Sequence, residues 1–585
     1  MTFKRLSEYF RELEENTSRL KITEILAGLF KEASEEEIDK ICYLSLGRLL
    51  PQYEGLEFQI AEKTMIKAIA KAFGLETERV LRRYKEVGDL GEVGEEYKIQ
   101  NLFGDLREKK DKGELRVLRV YERLMEIAKE SGEGSVERKI DKMATLLQDI
   151  DSLSVRYVVR IPLGKLRMGF SEMTILDSLS WMVKGDKTLR TKFEGAFNVL
   201  ANIGEIAKMV KRDGGVRQVE PKIGTPVVPA LCQRLGSAEE ILEKLGKMAV
   251  EPKYDGTRLQ VHFRIKNHEP RTEGGEVKIF TRNLENVTHM FPDIVEALEK
   301  EINVHEAIFD GEGVGIDPKT GRYLPFQETI KRKRKHGIGE KAKEIPFKYF
   351  VFDILFYNGE SLIKEPFEKR RKILEKIIKK GGSTIVPSPQ IVIESAEELR
   401  GYHNEQIGKG LEGVVAKKWQ APYEPGRRGF KWVKLKQEET KKGGGLADTI
   451  DCVIMGTYRG RGKRASFGVG AFLVGIKKGE NFVTVSKIGT GLTDEQFREL
   501  KVQSSKFKVK KQPKEFMVDK NLTPDVWVEP KIVVEIQADN ITESPIHTAG
   551  LALRFPRLIR FRDDKSAEQI TTQKELEDLY RLQYA

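Results

Sequence analysis

The sequence predicts a multidomain protein with an all-α N-terminal region, an α+β middle region and a strand-rich C-terminal unit. Three observations predict it. Apolar residues recur at helical spacing over about the first 210 residues; strict alternation replaces that spacing from Leu259 onward; and two charged, glycine-bearing stretches interrupt the chain. A chain of 585 residues has the length for several such domains.

In the first region Met65, Ile66, Ile69 and Phe73 share one helical face, and Gly74 supplies a C-terminal stop. The same pattern returns in Val117, Tyr121, Leu124 and Ile127, and in Ile175, Leu179 and Met182. The segment 160–169, from Arg160 to Gly169, alternates glycines with basic residues in a predicted loop. It is open to two readings: close backbone approach to phosphates, or a solvated basic loop. Lys211-Arg212-Asp213-Gly214-Gly215, followed by Pro221, Pro226 and Pro229, marks a linker, which places a boundary at 212/213.

Beyond it Leu259, Val261, Phe263 and Ile265 alternate with Gln260, His262 and Arg264, the pattern of a half-buried strand. A polar loop with Gly274-Gly275 leads to a second strand over 277–281, so the two form a predicted hairpin. Strands are also expected at 349–356 and 413–416, and helices at 291–300 and 368–380. A second hinge, Lys441-Lys442-Gly443-Gly444-Gly445, sets the next boundary at 442/443. In the final unit 451–457, 471–476, 482–488 and 527–538 read as strands, with a turn at Lys478-Gly479-Glu480-Asn481. Several short strands in a basic module of this size suggest a small β-barrel of OB type. The predicted domains are therefore 1–212, 213–442 and 443–585, and no internal repeat is present.

Composition narrows the function classes. Lys and Arg outnumber Asp and Glu by 103 to 91, a formal net charge of +12, which suits a polyanionic partner without identifying one. The three cysteines, Cys42, Cys232 and Cys452, lie far apart, which excludes a disulfide scaffold and a four-cysteine zinc site and fits a reducing cytoplasm. Charged sequence, not an apolar signal core, follows Met1, and no apolar stretch is long enough to span a bilayer. Charged residues make up 33% of the chain, as in many thermophile proteins.

The chemistry centres on Glu251-Pro252-Lys253-Tyr254-Asp255-Gly256-Thr257-Arg258. This has the form Lys-x-Asp-Gly-x-Arg. A lysine amine freed of its proton beside other cations can attack phosphorus and carry a nucleotide covalently. Asp255 can orient the amine or a metal, Gly256 admits a ligand close to the backbone, and Arg258 can hold a phosphate or ribose. Taken alone, the run reads equally as a surface turn. Its company downstream decides between the two. Arg282 ends a strand, Glu312 lies in Asp310-Gly311-Glu312-Gly313, Phe352 precedes Asp353 in an apolar strand, and Glu412 opens Glu412-Gly413-Val414-Val415-Ala416-Lys417. Lys434 falls in Lys431-Trp432-Val433-Lys434-Leu435-Lys436, and the run 554–565 carries Arg562 and Lys565.

This ordered set resembles the covalent nucleotidyltransferases, and specifically the ATP-dependent DNA ligases of the archaeal and eukaryotic replicative type. The likeness covers nearly the whole chain. Lys-x-Asp-Gly is shared across the superfamily; Tyr458-Arg459-Gly460-Arg461-Gly462-Lys463-Arg464 and Arg562-Asp563-Asp564-Lys565 look like the DNA-ligase form. The resemblance implies a helical DNA-binding domain, an α+β nucleotidyltransferase domain of ATP-grasp-like type and an OB-fold domain. It implies that Lys253 attacks the α-phosphate of ATP, that Phe352 stacks on adenine, and that Glu251 lies beside the base. Glu312 and Arg258 would hold the ribose, and Arg282 and Lys434 would reach phosphates. Arg428 matches a basic ATP contact, with Arg427 beside it as an alternative alignment. Glu412, and secondarily Glu312, would ligate Mg²⁺ or Mn²⁺. Arg562 and Lys565 would orient pyrophosphate.

The implied partner is nicked duplex DNA, met by a cytoplasmic, nucleoid-associated monomer with no membrane attachment. The loop His268–Glu276 looks longer than in close relatives, and a sliding-clamp peptide has only the poor match Gln100-Asn101-Leu102-Phe103. Rival readings are an RNA ligase or capping-type enzyme, which fit poorly with so large a helical region, and a catalytically dead DNA clamp. A nicotinamide-dependent ligase lacks its four-cysteine module here.

Overall fold

The computed structural model describes residues 1–16, 18–104, 115–265, 276–324, 329, 344–426, 428–436, 449–460, 467–489, 492–538 and 540–582. The hinge at 441–445, the loop 266–275, Arg427 and Arg461–Arg464 lie outside them, as do the side chains of Leu102, Phe103 and Arg428. The chain divides into two compact units, Met1–Lys436 and Gln437–Ala585.

The first unit begins with helices running from Phe3–Glu15 to Ile203–Asp213. Met65, Ile66, Ile69 and Phe73 are buried in helix Glu62–Phe73, and Gly74 ends it in the left-handed conformation at φ 65°. One apolar core gathers these helices, from Phe3 to Val216. The segment 160–169 begins at the last residue of helix Ser152–Arg160. Arg160 is fully buried, its guanidinium bonded to Glu14 at 2.7 Å and Asp89 at 3.0 Å. A charge committed in this way ties helices together and is not open to phosphate.

The rest of this unit holds two sheets. Their strands are β1 (Leu231–Arg234), β2 (Met248–Pro252), β3 (Thr257–Arg264), β4 (Glu276–Thr281), β5 (Glu306–Gly315), β6 (Phe347–Tyr357), β7 (Glu360–Ser361), β8 (Ile385–Pro387), β9 (Ile391–Ile393), β10 (Gly413–Lys418) and β11 (Arg428–Lys436). One sheet has the order β1-β11-β10-β2-β9; the other runs β4-β3-β5-β6-β7, with β8 beside β6. Helices Pro292–Glu301 and Phe367–Ile377 cover the second sheet, and Ala238–Leu245 and Ala396–Gly408 the first. Between them lies an apolar layer containing Ala230, Ile308, Leu355, Tyr423 and Trp432, with Phe352 and Cys232 packed on it.

β3 and β4 form the expected hairpin, but β3 is buried on both faces. Gln260 and His262, the alternating polar positions, are buried because a strap over 223–228 lies across them. Gly224 N–H donates to His262 Nδ1 at 3.1 Å, and Val227 exchanges two bonds with the Gln260 amide at 2.8 and 2.9 Å. Polar side chains tolerate burial when each bond is made. The helical region meets this seam through Tyr53, edge-on to Phe280 with centroids 6.1 Å apart.

In the second unit the strands are β12 (Ile450–Tyr458), β13 (Ala471–Lys478), β14 (Asn481–Ile488), β15 (Lys508–Val509), β16 (Phe516–Met517), β17 (Val526–Val528), β18 (Val533–Gln537), β19 (Asn540–Glu543), β20 (Leu551–Arg554) and β21 (Arg557–Phe561). An eight-stranded sheet runs β15-β17-β12-β13-β14-β16, with β18 joining β12 to β21; β19 and β20 pair separately. The single strand expected over 527–538 is two strands, because Pro530 falls inside it and cannot donate to a ladder. A helix, Asp494–Lys506, starts on a capping box of Thr493 and Gln496.

His262 offers a test of the seam. Burial, with Lys278 adding to it, pushes the imidazole down to about 3, so the native ring is neutral. An unfolded histidine takes up its proton near pH 6.5. The stability His262 contributes is therefore present above pH 6.5 and lost as pH falls from there toward 3. Between pH 6.5 and 4 the parent should lose stability relative to His262→Gln, at up to about 1.4 kcal/mol per pH unit. Urea unfolding midpoints across that range check it; parallel pH profiles would exclude this role.

Candidate active site

Lys253 follows directly on β2, and Glu412 stands directly before β10, its antiparallel neighbour. Lys253 N–H donates to the Gly413 carbonyl at 2.9 Å, and Glu412 N–H to the Lys253 carbonyl at 3.3 Å. This backbone exchange sets the Lys253 ammonium against the Glu412 carboxylate, with which it forms an ion pair. Lys436 reaches the same carboxylate from β11 at 3.3 Å. Burial works to raise the Glu412 carboxyl, but the charges of Lys253 and Lys436 hold it down at about 2.

Two glycines make the close approach possible. A Cβ on Gly256 would stand 2.6 Å from the Gly313 carbonyl oxygen and 2.8 Å from Glu312 Cγ. Gly413 has φ 134°, and a Cβ there would run into the Leu435 carbonyl. The Asp-Gly of the lysine motif is thus a contact with β5.

β3 and β5 bring Arg258 opposite Glu312. The Arg258 guanidinium is bidentate on Asp310, at 3.0 and 2.6 Å, and bonds the Ala230 carbonyl at 2.6 Å. It also lies over the Phe352 and Trp432 rings. Tyr423 donates to Asp310 at 2.7 Å. Burial pushes the Glu312 carboxyl up to about 8; Lys253 and Arg258 oppose this, and Asp310 and Glu412 add to it. Glu312 and Glu412 flank one lysine and are held at opposite ends of the carboxyl range, the pattern by which a site assigns different jobs to like groups.

Phe352 sits at a bulge. Asp310 pairs with Asp353 and Gly311 with Val351, so Phe352 is the extra residue, turned toward Trp432 with ring centroids 5.8 Å apart. Beside it Lys417 is buried, donating to Glu251 Oε2 and to the Phe352 carbonyl, both at 2.9 Å, and lying 4.6 Å from the Phe352 ring. Burial pushes the Glu251 carboxyl up and the Lys417 ammonium down. Beneath this layer Arg370 and Asp353 form a fully buried bidentate pair at 2.7 and 2.9 Å.

Lys253, Glu251, Arg258, Glu312, Phe352 and Glu412 therefore meet in one region. Lys434 joins them: its charge reaches the Cys232 thiol together with those of Arg258, Lys417 and Lys253. Arg282 is exposed one residue past β4, at the end of the sheet where Leu259 pairs with Thr281. Arg428 opens β11. Arg562 and Lys565 belong to the second unit, where Arg562 bonds Asp564 at 2.7 Å and Asp451 at 3.2 Å, and Lys565 bonds Asp451. Sequence reasoning assigned no role to Lys417, Asp310, Tyr423 or Arg370. The available signal was an ionisable residue inside an apolar strand, as with Asp310 and Lys417.

A lysine held among cations and carboxylates, where two sheets meet, is an arrangement in which an amine can be activated for attack. The comparisons agree. Residues 2–180 match the DNA ligase N terminus model, 229–436 the ATP dependent DNA ligase domain, and 465–565 the ATP dependent DNA ligase C terminal region. The chain is 43% identical to the "Probable DNA ligase" of Dictyoglomus turgidum, over 99% of this chain and 98% of that protein. It is 40% identical to "DNA ligase 2" of Thermofilum pendens, over 99% and 97%. The solved structure Pmar-Lig_PreS3, 17% identical with a TM-score of 0.55, covers 95% of this chain and is itself covered over 99%, a likeness of fold. The chain belongs to the ATP-dependent DNA ligase family.

The raised Glu312 carboxyl yields a prediction. Unfolded, it ionises near pH 4.3; folded, it keeps its proton to about 8, so it costs stability progressively as pH rises between those values. Glu312→Gln should match the parent's stability near pH 4 and gain on it by up to about 1.4 kcal/mol per pH unit between there and pH 8. Thermal melts at both pH values measure this. A variant that is less stable at pH 8 would refute it.

Proposed function

We propose that Lys253 is the nucleophile by which this DNA ligase carries AMP from ATP to a nick in duplex DNA. The observation that carries this reading is the Lys253 amine set between Glu412 and Glu312, with Arg258, Lys434 and Lys436 around it. Lys253 Nζ, having lost a proton, forms a bond to the α-phosphorus, and the bond from that phosphorus to the pyrophosphate oxygen breaks. A 5′-phosphate oxygen at the nick then takes the AMP, breaking the N–P bond. The adjacent 3′-hydroxyl attacks the activated phosphate and releases AMP. Fixed cations around the phosphates stabilise the charge that develops in each step.

In this reading Phe352 stacks on adenine and Glu251 reads its edge. Glu312 and the N–H groups of Arg258 not spent on Asp310 and Ala230 hold the ribose. Lys434, Arg282 and Arg428 hold phosphates, and Arg562 and Lys565 orient the pyrophosphate. A divalent cation, Mg²⁺ or Mn²⁺, suits the oxygen donors of Glu412 and, secondarily, Glu312. Among the described residues no cluster of three His, Cys, Asp or Glu side chains exists, so phosphate oxygens and water would complete its shell. When bound, it would neutralise phosphate charge.

We place the domain boundaries at 1–212, 213–442 and 443–585, with the last an OB-type barrel and the first gripping the duplex chiefly through phosphates. The protein would act as a cytoplasmic monomer. No helix among the described residues is long and apolar enough to cross a membrane.

Incubation with α-labelled ATP and Mg²⁺ should give a covalent protein–AMP adduct, and Lys253→Ala should abolish it. A wild-type protein that forms no adduct with any nucleotide sinks the mechanism. Nicked DNA should be sealed in preference to nicked RNA; sealing of RNA alone would redirect the assignment.

A further inference from the structure

Two polar atoms beneath the nucleotide seat are buried without a hydrogen-bond partner among the described residues: Glu251 Oε1 and Arg371 Nη1. They face each other at 4.0 Å, which is ion-pairing range but too long for a hydrogen bond. Both side chains are more than nine-tenths buried, at 3% and 6% exposure. Neither is loose. Glu251 Oε2 is held by Lys417 at 2.9 Å, and Arg371 Nε by Glu375 at 2.6 Å. Glu251 is the next-to-last residue of β2, two before Lys253, and Arg371 projects from helix Phe367–Ile377. The same layer contains Phe352, the aromatic assigned to the base, whose carbonyl also bonds Lys417.

A buried acceptor and a buried donor, each fixed at its other end and 4.0 Å from the other, are costly unless a third group bridges them. We propose that Arg371 is a base-specificity residue, which with Glu251 reads the amino edge of adenine. The exocyclic amino group donates to Glu251 Oε1, and the ring nitrogen beside it accepts from Arg371 Nη1. Guanine carries a carbonyl oxygen where adenine carries the amino group, so it would set an acceptor against the Glu251 carboxylate. A site built around such a pair rejects a base lacking the matching atoms more strongly than stacking alone can. The inference rests on the reading that the base of ATP seats on Phe352 beside Glu251.

The test compares formation of the protein–AMP adduct from ATP, 1-deaza-ATP and 7-deaza-ATP, in the full chain and in Arg371→Met and Arg371→Lys. The two analogues each remove one ring nitrogen beside the amino group. The parent should use one of them about tenfold less well than ATP in kcat/KM. Arg371→Met should lose a similar factor with ATP and treat ATP and that analogue alike. Arg371→Lys, which keeps a donor, should recover part of the preference, and thermal melts of both variants report folding. A parent that uses both analogues as well as ATP overturns the inference. So does an Arg371→Met variant that keeps the full preference for ATP. Adduct formation by the parent in those cases leaves the lysine chemistry standing, whereas its absence with every nucleotide removes both.

Discussion

The backbone exchange between Lys253 and the Glu412-Gly413 pair is the constraint on which the rest of this site depends. Those residues are 159 apart in the chain, yet the register of β2 against β10 leaves them one place to meet. A slip of one residue would turn Lys253 to the opposite face and separate it from Glu412.

Charge is distributed in two layers around that point. The upper layer, with Glu412, Glu312, Lys434 and Lys436, is partly open to solvent and suits exchange with phosphates. The lower layer, Glu251–Lys417 and Asp353–Arg370, is buried and fixed. Buried pairs of this kind contribute little net stability, yet removing one partner costs roughly 3–5 kcal/mol. Their effect is positional: Lys417 holds the Phe352 carbonyl at 2.9 Å and lies 4.6 Å from its ring.

Much of this was legible in the sequence. Lys253, Glu312, Phe352 and Glu412 stand beside glycines or inside apolar strands, and those local signatures survive without any fold. The helical faces, the β3–β4 hairpin and most strands were legible for the same reason. Lys417, Asp310 and Arg371 were not, because their meaning lies in partners 166, 52 and 120 residues away, which no local pattern encodes. Arg160 shows the converse. Its basic, glycine-rich setting left a phosphate loop and a solvated loop equally open, and three acidic side chains distant in the chain claim it instead. The second face of β3 was misread because alternation reveals which residues are polar, not whether another segment will cover them.

That covering strap bears on where the catalytic domain begins. The family model for the middle domain starts at residue 229, after the strap has passed. Gln260 and His262 bond each other at 3.0 Å, and Gly224 and Val227 supply the further bonds to the His262 Nδ1 and to both ends of the Gln260 amide. A fragment cut at 229 would strip the partners from His262 Nδ1 and Gln260 Nε2, or open the outer face of the sheet to water. The physical edge of the domain is thus upstream of the edge that sequence similarity draws, and a catalytic core able to fold by itself has to carry the strap with it.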